Sequence, residues 1–196
     1  MKIVLASNNQ GKIKELQSLL PEFDVVTSQS ILGNYEVEED GDSFKANAIK
    51  KAIEIYEKIG DENIMVLSDD SGITVPALNN EPNIYSARYA GIGASDSENN
   101  QKLISRLNAN NLCKTDAYYT ACIAMVYKGI VYTTHGWMHG YVVNETKGDG
   151  GFGYDPMFIP EGYDETLGTL DPKIKKDLSH RTKALKLMLR IIKVVV

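Results

Sequence analysis

The stretch that decides the fold is Lys2-Ile3-Val4-Leu5-Ala6-Ser7-Asn8-Asn9-Gln10-Gly11-Lys12. Its first five residues form an apolar run of the kind that makes a strand buried on both faces. Gly11 breaks the pattern, and Ile13, Leu16, Leu19 and Leu20 then recur at helical spacing as far as Pro21. The spacing predicts strand, loop, helix. In open α/β sheets ligands bind beyond the carboxyl ends of the strands. A short polar loop that opens a helix offers main-chain N–H groups to an anion. Here Ser7 and the two asparagines add hydrogen bonds and Lys12 adds a positive charge. It is not a Walker A loop, because GxxxxGK[ST] is absent. Read locally, the same residues also make a helix cap with Lys12 in solvent.

Working outward, residues 23–28 read as a second short strand and 34–42 as an acidic, polar connection. Phe44, Ala48, Ala52, Ile55 and Ile59 form one stripe, which predicts a helix from Ser43 to Ile59 closed by Gly60. Ile64–Leu67 is another buried strand, running straight into the polar turn Ser68-Asp69-Asp70-Ser71-Gly72. Residues 79–95 are loop-rich. Ser95-Asp96-Ser97-Glu98 fits a capping box and opens a helix to about Leu107. Residues 117–127 alternate as a strand, Lys128-Gly129 makes a tight turn, and Ile130–Thr134 returns antiparallel. Trp137–Val143 reads as a further strand, Gly148–Pro156 as a glycine-rich loop, and Ala184, Leu185, Met188 and Ile191 as the last helix. The order is β-α-β-α-β, then loop, helix, meander and helix, which predicts an α/β protein with a mixed sheet in one domain over residues 1–196.

Composition narrows the function. The chain has 196 residues, 43% hydrophobic, enough for a sizeable core. The formal net charge is -5 and there is no Lys/Arg-rich run, so an electrostatic grip on nucleic acid is not expected. Cys113 and Cys122 lie in no metal-binding spacing, which argues against zinc and against a disulfide framework. No apolar run has the length of a membrane span, and the start has no signal-peptide pattern. A cytoplasmic protein without a membrane partner is expected.

Four more stretches carry chemistry. In Ser68–Gly72, adjacent strand residues point to opposite faces, so only one of Asp69 and Asp70 can face a crevice. A carboxylate there can hold Mg²⁺ and orient or deprotonate a water; it can equally be a turn cap. Three glycines in Gly150-Gly151-Phe152-Gly153-Tyr154-Asp155-Pro156 permit close backbone approach. Phe152 and Tyr154 can stack on a base there and Asp155 can read its edge, or the aromatics can tuck into the core. Lys175, His180 and Arg181 can meet phosphate or base oxygens, or form a solvated helix start. Glu38-Glu39-Asp40 matters only where the fold carries it to Asp70. Asn47 and Lys51 share one face of the second helix.

Together, and in this order, these stretches resemble one family. Ser7–Lys12 with Glu15 is similar to its [ST]xNxxKxxE opening, and Ser43-Phe44…Asn47-Ala48 to its TFxxNA helix start. Ser68–Gly72 followed by Ser86–Gly91 resembles ADDSG…SARYAG, Gly151–Pro156 resembles GFGYDP, and Ser179-His180-Arg181 resembles SHR. The family is the inosine triphosphate pyrophosphatase group, also called HAM1-like or RdgB-like. The resemblance implies an elongated mixed central sheet flanked by helices, two lobes around a substrate cleft, and a homodimer. It implies Mg²⁺-dependent hydrolysis of noncanonical purine (d)NTPs (ITP, dITP, XTP) to (d)NMP and pyrophosphate, which cleanses the nucleotide pool. By the same resemblance Asp70 is general base and metal ligand, and Glu38 is the second metal carboxylate, with Glu39 one register away. Ser7, Asn8, Asn9, Gln10, Gly11 and Lys12 bind the triphosphate, and Lys51 balances phosphate charge. Ser71, Phe152, Gly153, Tyr154, Asp155, Lys175, His180 and Arg181 bind substrate, the later ones at the base.

The chain departs from the pattern at Val75-Pro76-Ala77-Leu78, Asn79-Asn80 and Pro82-Asn83, and at Thr182, where Gly or Ala is common. A Maf-like pyrophosphatase shares the implied reaction, but GFGYDP and SHR set this chain apart from it. A nucleotide sensor on the same fold has no need of Glu38, Lys51 and Asp70. A Rossmann dehydrogenase is disfavoured by the lack of GxGxxG after the first strand.

Overall fold

The structure is a computed structural model that describes residues 2–196. Strand β1 (Lys2–Ala6) is followed by α1 (Gln10–Leu19), β2 (Asp24–Thr27), a short α2 (Ser28–Leu32) and α3 (Phe44–Ile59). Then come β3 (Met65–Val75), β4 (Glu81–Pro82), α4 (Asp96–Ala109), β5 (Lys114–Tyr127) and β6 (Ile130–Val143). Strand β7 (Phe158–Pro160) and helices α5 (Pro172–Leu178) and α6 (His180–Val195) complete the chain. The strands form a seven-stranded mixed sheet in the order β2-β1-β3-β5-β6-β7, with β4 paired to β3. β1 is parallel to both β2 and β3, whereas β4 runs antiparallel to β3 and β7 antiparallel to β6.

The chain divides into two compact units. The first holds the residues up to Asp70, Ala121–Gly136 and Arg181–Val196. In it β1 is covered on both faces, as its unbroken apolar run requires. Ile3 and Leu5 pack with Ile13 and Leu16 of α1 and with Leu185 and Met188 of α6. Val4 and Ala6 pack with Ile55 of α3. Burying one such side chain is worth about 1.5–3 kcal/mol, so α1, α3 and α6 are fixed chiefly by these contacts. The second unit is Ser71–Thr120 and Trp137–His180. Its core gathers Ile73, Leu103, Leu107, Tyr119, Tyr154 and Phe158.

Three expectations are corrected. β3 does not stop at Leu67 but runs through Ser68–Gly72 to Val75. Asp69 and Asp70 are accommodated in the extended chain because their side chains find partners on both faces. β6 is one strand of 14 residues, not two. The loop after β1 is shorter than Ser7–Lys12, because Gly11 is already the second residue of α1, a position where the helix's N–H groups lack intrahelical partners in any case. The helix at Ser43–Ile59 has the expected ends: Ser43 accepts from the Ala46 N–H and Gly60 closes it in the left-handed conformation. The capping box at Ser95 and Glu98 is present. Among the described residues no helix is long and apolar enough to cross a membrane.

Candidate active site

The polar loop after β1 is ordered by its own side chains. Asn9 Oδ1 accepts from the Lys12 N–H at 3.0 Å and caps α1, while Ser7 Oγ accepts from the Asn9 N–H at 3.3 Å. Asn8 Nδ2 donates to Glu36 at 3.1 Å. The Lys12 ammonium does not lie in solvent; its Nζ sits 2.8 Å from Asp69 Oδ2.

Asp69 and Asp70 lie side by side on β3, so their side chains leave on opposite faces, and each meets a different set of partners. Asp69 is 1% exposed and bonded on both oxygens: Lys12 on Oδ2, and Arg181 Nε on Oδ1 at 3.2 Å. Arg181, at the start of α6 and equally buried, also pairs with Glu15 of α1. Burial would raise the Asp69 carboxyl, but Arg181 and Lys12 outweigh it and hold the group well below the usual carboxylate range. Asp70 Oδ2 accepts from Asn47 Nδ2 at 3.1 Å, and Lys51 Nζ lies 3.7 Å from Oδ1. Here burial wins. It raises the Asp70 carboxyl, with Glu39 and Asp69 adding to the rise and Lys51 and Lys12 opposing it.

Lys51 gathers the remaining pieces. Its Nζ donates to Glu39 Oε1 at 2.6 Å and to the Asp69 carbonyl at 2.7 Å. Burial acts to lower this ammonium, yet Asp70 and Glu39 more than offset it, and its pKa is raised. Glu38, the carboxylate expected here, is exposed instead. The reason is alternation along residues 35–40: Tyr35, Val37 and Glu39 are half-buried, while Glu36, Glu38 and Asp40 are exposed. Tyr35 and Val37 pack against the cluster of Val4 and Ile55, so Glu39 shares their inward side and Asp40 turns outward to Lys50 at 2.6 Å. On this segment it is Glu39, not Glu38, that turns inward to Lys51. The apolar pair Tyr35-x-Val37 was the signal in the sequence that sets this register.

The second unit carries the other expected residues. Asp155, buried, pairs with Lys175 and accepts from the Phe152 N–H at 2.9 Å. A Cβ on Gly151 would run into Asp155 and Lys175, so glycine is needed for that approach. Lys175 Nζ lies 5.3 Å from the centroid of the half-buried Phe152 ring. Phe152 and Gly153 also line a recess of about 310 Å³ beside the first turn of α4. Tyr154 does not offer its ring to a base: it is 4% exposed, belongs to the core, and its hydroxyl donates to the Ser86 carbonyl at 2.8 Å. His180 is buried and stacks on Tyr119, ring centroids 4.7 Å apart and planes 10° from parallel. Ser71 is half-buried on β3.

The model of the Ham1 family matches residues 3–191. The chain belongs to the Ham1 family. It is 60% identical over 198 residues to a dITP/XTP pyrophosphatase of Aliarcobacter butzleri, covering all of both chains. It is 54% identical to a dITP/XTP pyrophosphatase of Nautilia profundicola, over 95% of each. Among solved structures, the Ham1 protein of Staphylococcus aureus superposes with a TM-score of 0.87 at 34% identity over the whole of both chains. A nucleoside-triphosphatase / dITP/XTP pyrophosphatase of Mycobacterium abscessus gives 0.77 at 34% identity, over 96% of this chain and 99% of that one.

Within this Ham1-family chain, sequence reasoning missed three site residues. Asp69 was read only as the alternative to Asp70 or as a turn cap, because its partners Lys12 and Arg181 are remote in sequence. Tyr119 was read only as one member of an alternating strand face. Asn47 was placed beside Lys51 but given no partner, since the Asp70 carboxylate reaches it only in the folded chain.

Proposed function

We propose that this protein is a nucleoside-triphosphate pyrophosphohydrolase that converts noncanonical purine (d)NTPs (ITP, dITP, XTP) to (d)NMP and pyrophosphate. The observation that carries this reading is the convergence of Glu39, Asp70 and Lys51. The names of the relatives supply the substrate class. The reaction adds water at the α-phosphorus and breaks the bond to the β-phosphate oxygen, so pyrophosphate leaves and a proton must be taken from the water.

The carboxylates Glu39 and Asp70 fit a divalent cation. Both are hard oxygen donors near one ammonium, and burial raises the Asp70 carboxyl, so a cation beside it would favour its charged form. Among the described residues no group of three or more acidic, His or Cys side chains gathers to hold a metal ion. Two carboxylates with phosphate and water completing the shell suit Mg²⁺. When bound, Mg²⁺ would neutralise phosphate charge and lower the pKa of a bound water. Asp70 takes the water proton. A raised pKa suits a general base, since it brings proton affinity closer to neutral pH. Lys51 holds Glu39 and Asp70 in place and adds positive charge beside the phosphates. Lys12 and the loop Ser7–Gly11 bind the triphosphate; the N-terminus of α1 favours an anion there. Phe152 stacks on the base, and Asp155, Lys175 and His180 read its edge, with Ser71 and Gly153 beside them. Donors facing a 6-oxo group reject a 6-amino group, and such a hydrogen-bonded site can discriminate by about 10⁴.

We also take the protein to be a cytoplasmic homodimer that acts on free nucleotides rather than nucleic acid. The test is an Mg²⁺-dependent assay with dITP, XTP, dGTP and dATP that resolves pyrophosphate from orthophosphate. Pyrophosphate chiefly from dITP and XTP is expected. Pyrophosphate from another nucleotide would overturn the base preference, and nucleotide binding with no product would overturn the enzyme reading.

A further inference from the structure

We propose that Asn47 is a positioning residue that ties the Glu39 segment to Asp70, so that the two carboxylates form one rigid pair. This rests on the reading of Glu39 and Asp70 as the metal-binding pair. Asn47 lies in the first turn of α3 and is 0% exposed. Its amide is used at both ends: Nδ2 donates to Asp70 Oδ2 at 3.1 Å, and Oδ1 accepts from the Gly41 N–H at 2.8 Å. The orientation of the amide is forced. A main-chain N–H can only donate and a carboxylate only accept, so a flipped Asn47 would lose both bonds.

Gly41 follows Glu39 by two residues, and a Cβ there would come within 2.6 Å of Asn47 Oδ1 and 2.9 Å of Ala46 Cβ. The chain can pass this close to α3 only as glycine. One turn further along the helix Lys51 holds Glu39 itself at 2.6 Å. Residues 39–41 are thus held to α3 at two places; Lys51 also pairs with Asp70 at 3.7 Å, while Asn47 makes the hydrogen bond to it at 3.1 Å. Both bonds of the Asn47 amide go to protein groups. Asn47 therefore acts through Asp70 and Glu39, in the way that partners behind metal-binding side chains fix their geometry.

Two variants test this from opposite sides. Asn47→Ala removes both hydrogen bonds. Gly41→Ala leaves Asn47 and Asp70 intact and pushes residues 39–41 away. The readouts are the affinity for Mn²⁺ alone, by calorimetry on the folded, metal-free protein, and exchange of the Gly41 amide hydrogen. Measured well below each variant's Tm, where essentially every molecule is folded, the affinity is not moved by a merely destabilising change. We expect each variant to weaken Mn²⁺ binding roughly 10–100-fold, the double variant to lose little more than either single one, and the Gly41 amide to exchange faster in Asn47→Ala. The KM for dITP should stay within about twofold while kcat falls at low Mn²⁺ and recovers at high Mn²⁺. Wild-type Mn²⁺ affinity in either folded variant, or fully additive losses, would overturn the role of Asn47. Failure of the wild-type protein itself to bind Mn²⁺ would overturn the metal reading, and the proposal with it.

Discussion

Lys12 Nζ lies 2.8 Å from Asp69 Oδ2, and the other oxygen of that carboxylate takes Arg181 Nε at 3.2 Å. One buried anion therefore joins the helix after the first strand to the last helix of the chain. Removing one member of such a group leaves the others buried and uncompensated, which typically costs about 3–5 kcal/mol.

Asp69→Asn should accordingly lower stability sharply. For a chain of this size each kcal/mol moves Tm by about 2–4 °C, so a fall of roughly 6–20 °C is expected in a thermal melt. The KM for dITP should rise as well, since Lys12 loses its anchor. An unchanged Tm would show that the triad does not hold these helices.

Asp70→Asn should do the opposite. The Asp70 carboxyl is raised in the folded chain, mainly by burial. Between its unfolded and folded pKa values the folded state binds more protons, so stability falls as pH rises through that window. Above it, the ionised Asp70 is a standing cost to the metal-free fold. Removing the charge should raise Tm at neutral pH in metal-free buffer and leave Tm little changed at pH 3–4 (about the unfolded carboxylate range). Turnover should be nearly abolished. Wild-type-like turnover in the folded variant would remove Asp70 as base.

Glu38 and Glu39 should separate cleanly. Glu39→Gln is expected to cost at least about tenfold in kcat, while Glu38→Gln, on the exposed side of the same segment, should stay near wild type. Steady-state assays across Mg²⁺ concentrations decide it. A larger loss at Glu38 would mean that the segment turns over when metal binds.

His180 and Arg181 should likewise part company. His180→Ala is expected to erode the preference for dITP over dATP more than it lowers Tm, because the imidazole stacks on Tyr119 as a ring. Arg181→Ala is expected mainly to destabilise, because its guanidinium is buried against Asp69 and Glu15. Ratios of kcat/KM beside thermal melts test both, and equal loss of activity on every nucleotide in His180→Ala would argue against base reading.

The sequence by itself determined the local elements. An apolar run buried on both faces made β1, the stripe from Phe44 to Ile59 made α3, and Ser43, Ser95 and Gly60 marked helix ends, because these signals act between residues a few positions apart. It also placed Asp155, Lys175 and His180 among the candidates from short motifs. Only the tertiary structure decided which side chain each candidate meets. β3 continued through Ser68–Gly72, where Lys12, Arg181, Asn47 and Lys51 arrive from three helices to satisfy Asp69 and Asp70. Glu39 rather than Glu38 takes the inward side because Tyr35 and Val37 are drawn into a core formed by distant residues, and Tyr154 packs in the core. A charge or hydrogen bond is worth making only where burial removes competing water, and which groups are buried together is a property of the folded chain.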